Sequence, residues 1–371
     1  MRPSRICDRA FSPLVASVEL AATVEQSFRD RKYNTGSMSL NLTTDLPDNS
    51  TVAQASSGIY IFAAIVLGFI GFFGFILNLL VILTVVKNAN VLWTPNNVVL
   101  VNMAIGDLLV AVLGNPIAMV SAIAGMWYWS YNMCQWYAWF MTTMGFASIG
   151  NLTVMAFERF LLVIHPMRTL SIKHAYILTF LIWIYALSLS LPPFFNWGKY
   201  GWEACNISCS VSWEQHDPEM HNDTYIGFLF IFGFFAPVMI IISSYYSIIR
   251  TLRNISRRVR RNNKRETKIT KMVLLMIIAF LIAWMPYAVL ALAIQYFYVE
   301  ISSNVVSVLP ALLAKSSICY NPVIYTSLNI QFFHAWKKMF FGNVENPKKS
   351  NKDSTKMITV NKIEMKTLNC M

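Results

Sequence analysis

The chain contains seven long apolar stretches, and these restrict its possible folds more than any other feature of the sequence. They cover residues 58–86, 96–123, 131–164, 175–195, 225–249, 272–298 and 301–328. About twenty apolar residues are enough for an α-helix to cross the hydrocarbon core of a bilayer. Apolar residues make up 56% of the chain and charged residues only 13%, which excludes an ordinary soluble domain. We therefore predict an all-α membrane protein, with a seven-transmembrane helix bundle over residues 58–328.

The charged residues outside the apolar stretches are distributed unevenly. Residues 250–271, between the fifth and sixth stretches, contain ten Lys or Arg and one acid, whereas residues 195–223 contain five acids and one lysine. Cytoplasmic loops of membrane proteins are rich in Lys and Arg. Residues 250–271 are therefore predicted to be cytoplasmic. Residues 195–223 are predicted to be extracellular, and so is a disordered N-terminal segment, 1–57. The net charge of +12 then lies beside anionic lipid or a cytoplasmic protein, and no nucleic-acid partner is expected.

Lys315 lies in the middle of the seventh apolar stretch. At about 1.5 Å per helical residue, it is roughly 20 Å from either end of that stretch, so its amine cannot easily reach the lipid headgroups. A lysine at this depth costs roughly 2.5 to 3.5 kcal/mol on insertion scales. We therefore interpret Lys315 as a functional residue.

Asn78, Asp107 and Asn321 are polar residues in the first, second and seventh of the apolar stretches. They could form one cluster that holds water or a sodium ion. A purely structural role, in which they form hydrogen bonds between helices, is equally open.

Charged residues also mark the cytoplasmic ends of two apolar stretches. Glu158 and Arg159 end the third stretch, and Glu266 begins the sixth on the same side. These residues can pair as a lock, which has to break if the sixth helix swings outward.

The extracellular side contains candidate sites of covalent modification. Glycans are predicted on the sequons that begin at Asn41, Asn49 and Asn222. Cys134 starts the third stretch on the outer side, and a disulfide from it to the next outer loop, which contains Cys205 and Cys209, would hold that loop across the bundle. The six cysteines form no paired CxxC motifs, so no metal site is expected.

Several motifs carry a resemblance to a known family. They are Glu158-Arg159-Phe160, Trp284-Met285-Pro286-Tyr287 and Asn321-Pro322-Val323-Ile324-Tyr325. With the spacing from Cys134 to Arg159, they resemble the rhodopsin-like G-protein-coupled receptors, and a lysine six residues before Asn-Pro, as Lys315 is here, is the mark of the opsins. Two further runs are similar to ciliary-type opsins, with the nearest likeness among arthropod pteropsins and encephalopsin-like opsins: Ser208-Cys209-Ser210-Val211-Ser212-Trp213 and Asn329-Ile330-Gln331.

The resemblance implies that Lys315 binds retinal, as 11-cis-retinal or a close derivative, through a Schiff base. The residues that it places around this cofactor are Tyr137, Gly145, Phe230, Phe234, Phe280, Trp284, Tyr287 and Ala311. It also implies a disulfide between Cys134 and Cys209. Tyr137 stands where vertebrate visual pigments carry a glutamate counterion, so Glu203 in the outer loop is predicted to be the counterion instead. Because Glu203 would stay in place after isomerisation, the pigment is expected to be bistable.

The resemblance further implies a receptor in the plasma or photoreceptor membrane that activates a heterotrimeric G protein, of the transducin or inhibitory class, and that meets arrestin and a receptor kinase. Its coupling and switch residues are Glu158, Arg159, Glu266, Asn321, Pro322 and Tyr325. A short amphipathic interfacial helix, 329–341, is expected to lie on the lipid before a cytoplasmic tail, 342–371.

Two other hypotheses also give a role to the lysine in the seventh stretch. One is a retinal photoisomerase of retinochrome type, and the other is a receptor in which Lys315 pairs with an anionic chemical ligand. The intact Glu158-Arg159 pair, the motif from Asn321 to Tyr325 and the long basic third loop favour a receptor that couples over an enzyme.

Overall fold

The structure is a computed structural model. It describes residues 49–164, 170–213, 220–254, 264–299, 303–329, 332 and 335–336. Residues 330–371 form a separate unit, of which three residues are described, all helical. The predicted interfacial helix and tail therefore lie almost entirely outside the described residues.

Seven helical spans account for most of the described residues, and we label them α1 to α7 in chain order. They are Asn49–Lys87 (α1), Pro95–Ala124 (α2), Tyr131–Ile164 (α3), Ile172–Ser190 (α4), 222–254 (α5), Lys264–Phe297 (α6) and 304–328 (α7). Within the described residues, six of them are long and apolar enough to cross a membrane without interruption. The α1 helix begins nine residues before the first apolar stretch, and a turn, Ala89–Leu92, joins it to α2.

The α2 and α5 helices each contain a wide π-helical turn just before a proline. The turns are Val110–Gly114 in α2 and Leu229–Phe235 in α5, and Pro116 and Pro237 follow them. A proline ring clashes with the carbonyl four residues earlier and removes one hydrogen bond of the helix. In both helices that carbonyl belongs to the π segment, where the wider turn accommodates the ring.

The α7 helix is broken between Lys315 and the Asn-Pro motif. It consists of Asn304–Ser316, a 3₁₀ turn Ser317–Cys319 and Tyr320–Leu328. Pro322 cannot donate to the carbonyl of Ile318, and the side chain of Asn78 on α1 donates to that carbonyl instead, at 3.0 Å. A polar residue of the first span thus stabilises the break in the seventh.

The outer loop between α4 and α5 forms an antiparallel hairpin of β1, Tyr200–Glu203, and β2, Ser208–Val211. In its register, Glu203 pairs with Ser208 and Trp202 with Cys209. A disulfide joins Cys209 to Cys134 at the start of α3, as predicted. The hairpin is therefore fixed at the outer end of the bundle by a covalent bond.

Polar side chains also connect the helices inside the bundle. Asn102 on α2 donates to Asn151 on α3 at 2.9 Å and accepts from the indole of Trp183 on α4 at 2.9 Å. Large apolar side chains such as Phe69 and Phe72 of α1 are exposed instead, on the surface that would face lipid. This arrangement is typical of a helix bundle in a bilayer, where interior hydrogen bonds bind the helices together.

Candidate functional site

Lys315 reaches the interior of the bundle just before the break in α7. Its side chain is 8% exposed. The Nζ atom donates a hydrogen bond to Ser208 Oγ of the hairpin at 3.0 Å and lies 3.8 Å from Glu203 Oε1. The predicted pair of Lys315 and Glu203 is therefore brought together, with Ser208 as the direct hydrogen-bond partner of the amine.

A cavity extends from this pair between α3, α5, α6 and α7. It contains about 170 Å³ that the centre of a water molecule could occupy. Among the described residues that line it, Lys315 is the single lysine, and Glu203 and Asp107 are the acids. The other predicted pocket residues that line it are Gly145, Phe230, Phe234, Phe280, Trp284, Tyr287 and Ala311.

Tyr137 is the one predicted pocket residue that does not line this cavity. It is fully buried, and its ring packs edge-on against Trp127 with centroids 5.4 Å apart. Tyr137 belongs to the same buried cluster as Tyr200 and Cys209 of the hairpin, and the cofactor contact predicted for it stays a prediction.

Gly145 and Trp284 form one wall of the cavity. A Cβ atom on Gly145 would lie 3.0 Å from the Trp284 ring, so the glycine allows the indole to pack directly on α3. The indole stacks on Phe280 and donates from Nε1 to Ser317 Oγ at 3.2 Å. Trp284 therefore contacts both the cavity and the 3₁₀ turn of α7.

Several polar residues that had no predicted role surround Glu203. The Glu203 carboxylate accepts hydrogen bonds from Ser210 Oγ and from Tyr287 OH, and Tyr287 accepts one from Trp213 Nε1 at 3.0 Å. Ser208, Ser210 and Trp213 appeared only in a motif used for family resemblance. The alternation of serines along 208–212 was the signal that could have shown which of them share a face of a strand.

The predicted switch residues Glu158 and Arg159 lie near the end of α3 that is opposite the hairpin. Arg159 Nη2 is 3.2 Å from Glu158 Oε1, and both side chains are buried. Tyr245 of α5 donates to the carbonyl of Thr270 on α6 at 3.1 Å. The side chain of Glu266 lies outside the described residues, so its part in the predicted lock stays a prediction.

The predicted polar cluster is only partly continuous. Asn321 donates to Asp107 at 3.3 Å, while Asn78 bonds to the backbone carbonyls of Gly74 and Ile318. Pro322 and Tyr325, the other residues of the seventh-span motif, are buried beside them. The Nδ2 atom of Asn78 thus makes the structural hydrogen bonds of the second alternative, and the cluster that holds water or sodium stays a prediction.

The predicted glycan at Asn222 is contradicted by the structure. Asn222 is 1% exposed, and its Nδ2 atom, to which a glycan would be attached, donates to Ser212 O at 2.6 Å. Its Oδ1 accepts from the backbone of Lys199. Asn41 lies outside the described residues, and Asn49 is the first residue of α1.

Comparison with known proteins decides the family. The family described as "7 transmembrane receptor (rhodopsin family)" matches residues 77–325. A rhodopsin of Sminthopsis crassicaudata is 33% identical over 278 residues, which are 74% of this chain and 78% of that protein. The chain belongs to the opsin family of rhodopsin-like receptors. It is therefore a light-sensing, multi-pass membrane receptor of the class that couples to heterotrimeric G proteins.

Other opsins match over similar lengths. A melanopsin of Phodopus sungorus is 33% identical over 298 residues, which are 76% of this chain and 61% of that protein. The crystal structure of squid rhodopsin has a TM-score of 0.70 at 23% identity and covers 86% of this chain and 95% of that one, which confirms the seven-helix fold. Because the rhodopsin and the melanopsin are equally identical to the chain, the ciliary-type placement stays a prediction.

Proposed function

We propose that Lys315 of this opsin binds 11-cis-retinal, or a close derivative, as a Schiff base, and that Glu203 is its counterion. One observation carries the proposal. The single lysine among the described residues that line the cavity has its amine 3.8 Å from a carboxylate oxygen of Glu203. A primary amine in a largely apolar site is the natural nucleophile toward an aldehyde.

The residues around the cavity fit this cofactor. Glu203 and Ser210 lie at the Lys315 end of the cavity, and aromatic and apolar side chains of α5 and α6 line another part of it. An aldehyde would meet the amine there, and a polyene would lie against Phe230, Phe280 and Trp284. When bound, retinal supplies absorption of visible light and isomerisation by that light.

Residues of the chain itself supply a negative charge near the Lys315 amine and a contact between the cavity and α7. A cation in such a site keeps its proton only if a negative group is near, and Glu203 can supply that charge. Trp284 lies between the cavity and the 3₁₀ turn of α7, so a shape change in the cavity would press on its ring and on its bond to Ser317. Because Glu203 is on the hairpin, it would keep its place after illumination, which supports a bistable pigment.

Coupling would take place at the cytoplasmic end. An outward swing of α6 is the common switching movement of such bundles, and it would separate Thr270 from Tyr245 and change the surroundings of the Arg159–Glu158 pair. We propose a G protein of the transducin or inhibitory class as the partner, on the likeness of residues 329–331 to ciliary opsins.

Two measurements test the proposal. The full chain, purified in the dark with 11-cis-retinal, should show a visible absorption band, and light should then accelerate nucleotide exchange on an inhibitory-class G protein. A visible band without exchange on any G protein would indicate a photoisomerase of retinochrome type. Absence of the band would leave a receptor for an anionic chemical ligand, and exchange on a Gq-class protein alone would refute the proposed partner class.

A second flash of light tests bistability. It should restore the dark spectrum, whereas prompt bleaching would refute a bistable pigment.

A further inference from the structure

The two oxygen atoms of the Glu203 carboxylate have different neighbours. Oε2 accepts hydrogen bonds from Ser210 Oγ and from Tyr287 OH, the latter at 2.7 Å. Oε1 faces Lys315 Nζ at 3.8 Å. The carboxylate cannot rotate about its Cγ–Cδ bond without losing both donors. It is thereby fixed with one oxygen toward Lys315.

Trp213 determines the direction of the bond between Tyr287 and Glu203. The indole Nε1 of Trp213 can only donate, and it donates to Tyr287 OH at 3.0 Å. The Tyr287 hydroxyl therefore accepts from Trp213 and points its single hydrogen at Glu203. The rings of Trp213 and Tyr287 pack edge to face with centroids 6.0 Å apart, which holds this geometry.

Ser210 is placed by the hairpin. Ser208 and Ser210 alternate with Cys209 along β2, so their side chains lie on the same face of the strand. Ser208 accepts from Lys315, and Ser210 donates to Glu203. Cys209 between them is bonded to Cys134, which fixes the strand and both serines against the bundle.

Few titratable groups face this network. Among the described residues that line the cavity, they are Lys315, Tyr287 and Asp107 in addition to Glu203, since Cys209 is in a disulfide. Lys315 and Tyr287 contact Glu203, whereas Asp107 is hydrogen-bonded to Asn321. Ser210 and Trp213 do not titrate near neutral pH, so a pH effect of changing them has to act through these groups.

We propose that Ser210 and Trp213 are positioning residues for Glu203, and that they set the lower end of the pH range in which the counterion keeps its charge. The inference rests on the proposed function, in which Glu203 is the counterion. Donors to Oε2 favour the carboxylate over the carboxylic acid. Without them, the charge of Glu203 is oriented less firmly toward Lys315, and the spectral change that accompanies loss of the counterion moves to higher pH.

The test is an absorbance titration toward acid of the full chain, regenerated with 11-cis-retinal in the dark in chloride-free buffer. Ser210→Ala should move the acid transition upward by about one pH unit, the effect of one hydrogen bond to a charged group. Trp213→Phe should move it in the same direction by less, because Tyr287 keeps its hydroxyl. Ser212→Ala is the matched control, since Ser212 lies on the same hairpin segment outside the cavity lining.

Two further variants separate positioning from packing. Ser210→Thr keeps a hydroxyl and Ser210→Val has the same shape without it, so they remain informative if Ser210→Ala regenerates poorly. The threonine variant should titrate like the wild type, and the valine variant should shift. Equal titration of the two, or equal shifts in Ser210→Ala and Ser212→Ala, would overturn the positioning role.

Glu203→Gln distinguishes failure of this inference from failure of the proposed function. If Glu203 is the counterion, Glu203→Gln loses the wild-type acid transition and shows instead an ultraviolet band that becomes visible as acid protonates the Schiff base, and adding Ser210→Ala to that variant changes nothing more. If Glu203→Gln keeps the wild-type transition, the counterion assignment itself is wrong. If the transition disappears but Ser210→Ala titrates normally, the counterion stands and the positioning role is refuted.

Discussion

The outer and cytoplasmic ends of the bundle hold their charged residues in different ways. At the outer end, Lys315 and Glu203 come from α7 and from a hairpin that a disulfide fixes, and hydrogen bonds orient the carboxylate. At the cytoplasmic end, Arg159 and Glu158 are neighbours in sequence on one helix. The outer pair requires the complete tertiary fold, whereas the inner pair is local and can change partners while the helices stay folded. We propose that the outer end keeps its geometry and that the cytoplasmic end switches.

Removal of the outer cation should have the largest effect. Lys315→Ala is expected to abolish pigment formation completely, because no other lysine among the described residues lines the cavity. Absorbance after incubation with 11-cis-retinal, with acid trapping of any adduct, measures this. Lys199→Ala is the control, since Lys199 lines a separate outer groove. A trapped adduct in the alanine variant that maps to another lysine would contradict the assignment.

Removal of the anion at the outer end, Glu203, should have the second-largest effect. Opposite charges about 4 Å apart at an effective dielectric near 20 interact by about 4 kcal/mol, which is equivalent to roughly three pKa units. Glu203→Gln should therefore lose visible absorption in favour of an ultraviolet band at neutral pH in chloride-free buffer. Asp223→Asn provides a matched control on α5, where Asp223 accepts from Gln295 instead. A visible, protonated pigment in Glu203→Gln would show that another group is the counterion.

Loss of the disulfide tests whether the outer end depends on it for its fixed geometry. Cys134→Ser with Cys209→Ser should lower the free energy of unfolding by about 2 to 4 kcal/mol and speed thermal loss of the dark pigment, because the hairpin is no longer fixed. The matched controls are Cys205→Ser and Cys319→Ser, which change cysteines outside this disulfide. Equal decay rates in the two sets would show that the hairpin holds its place without the disulfide.

The inner pair should give the smallest effect. Glu158→Gln is expected to raise nucleotide exchange in the dark several-fold, since loss of the acid partner of Arg159 biases a two-state equilibrium toward the active arrangement. Glu266→Gln should act in the same direction if Glu266 takes part in the lock. Lys315→Ala combined with Glu158→Gln is the control, because its activity should no longer respond to light. Dark exchange equal to that of the wild type in both glutamine variants would refute the lock.

Sequence reasoning predicted the positions of the spans well and the local geometry of the site less well. Apolar length located the helices, and family resemblance placed Glu203 beside Lys315. The hydrogen-bond partners Ser208 and Ser210 depend on the register of a four-residue hairpin, which apolar periodicity does not determine. For Tyr137, spacing along the helix did not show that its ring packs against Trp127, because the direction of a side chain also depends on packing.

The wide turns before Pro116 and Pro237 change how positions along α2 and α5 have to be counted. One additional residue in a turn rotates everything beyond it by about 100° relative to a regular helix. Asp107 and Ala118 lie on opposite sides of the wide turn in α2. The angle between their side chains about the helix axis therefore differs by about 100° from the angle that a regular helical wheel gives. A single-residue deletion within 110–114 would restore the regular phase but turn the outer third of α2, with Ala118 and Ala122, away from its buried side.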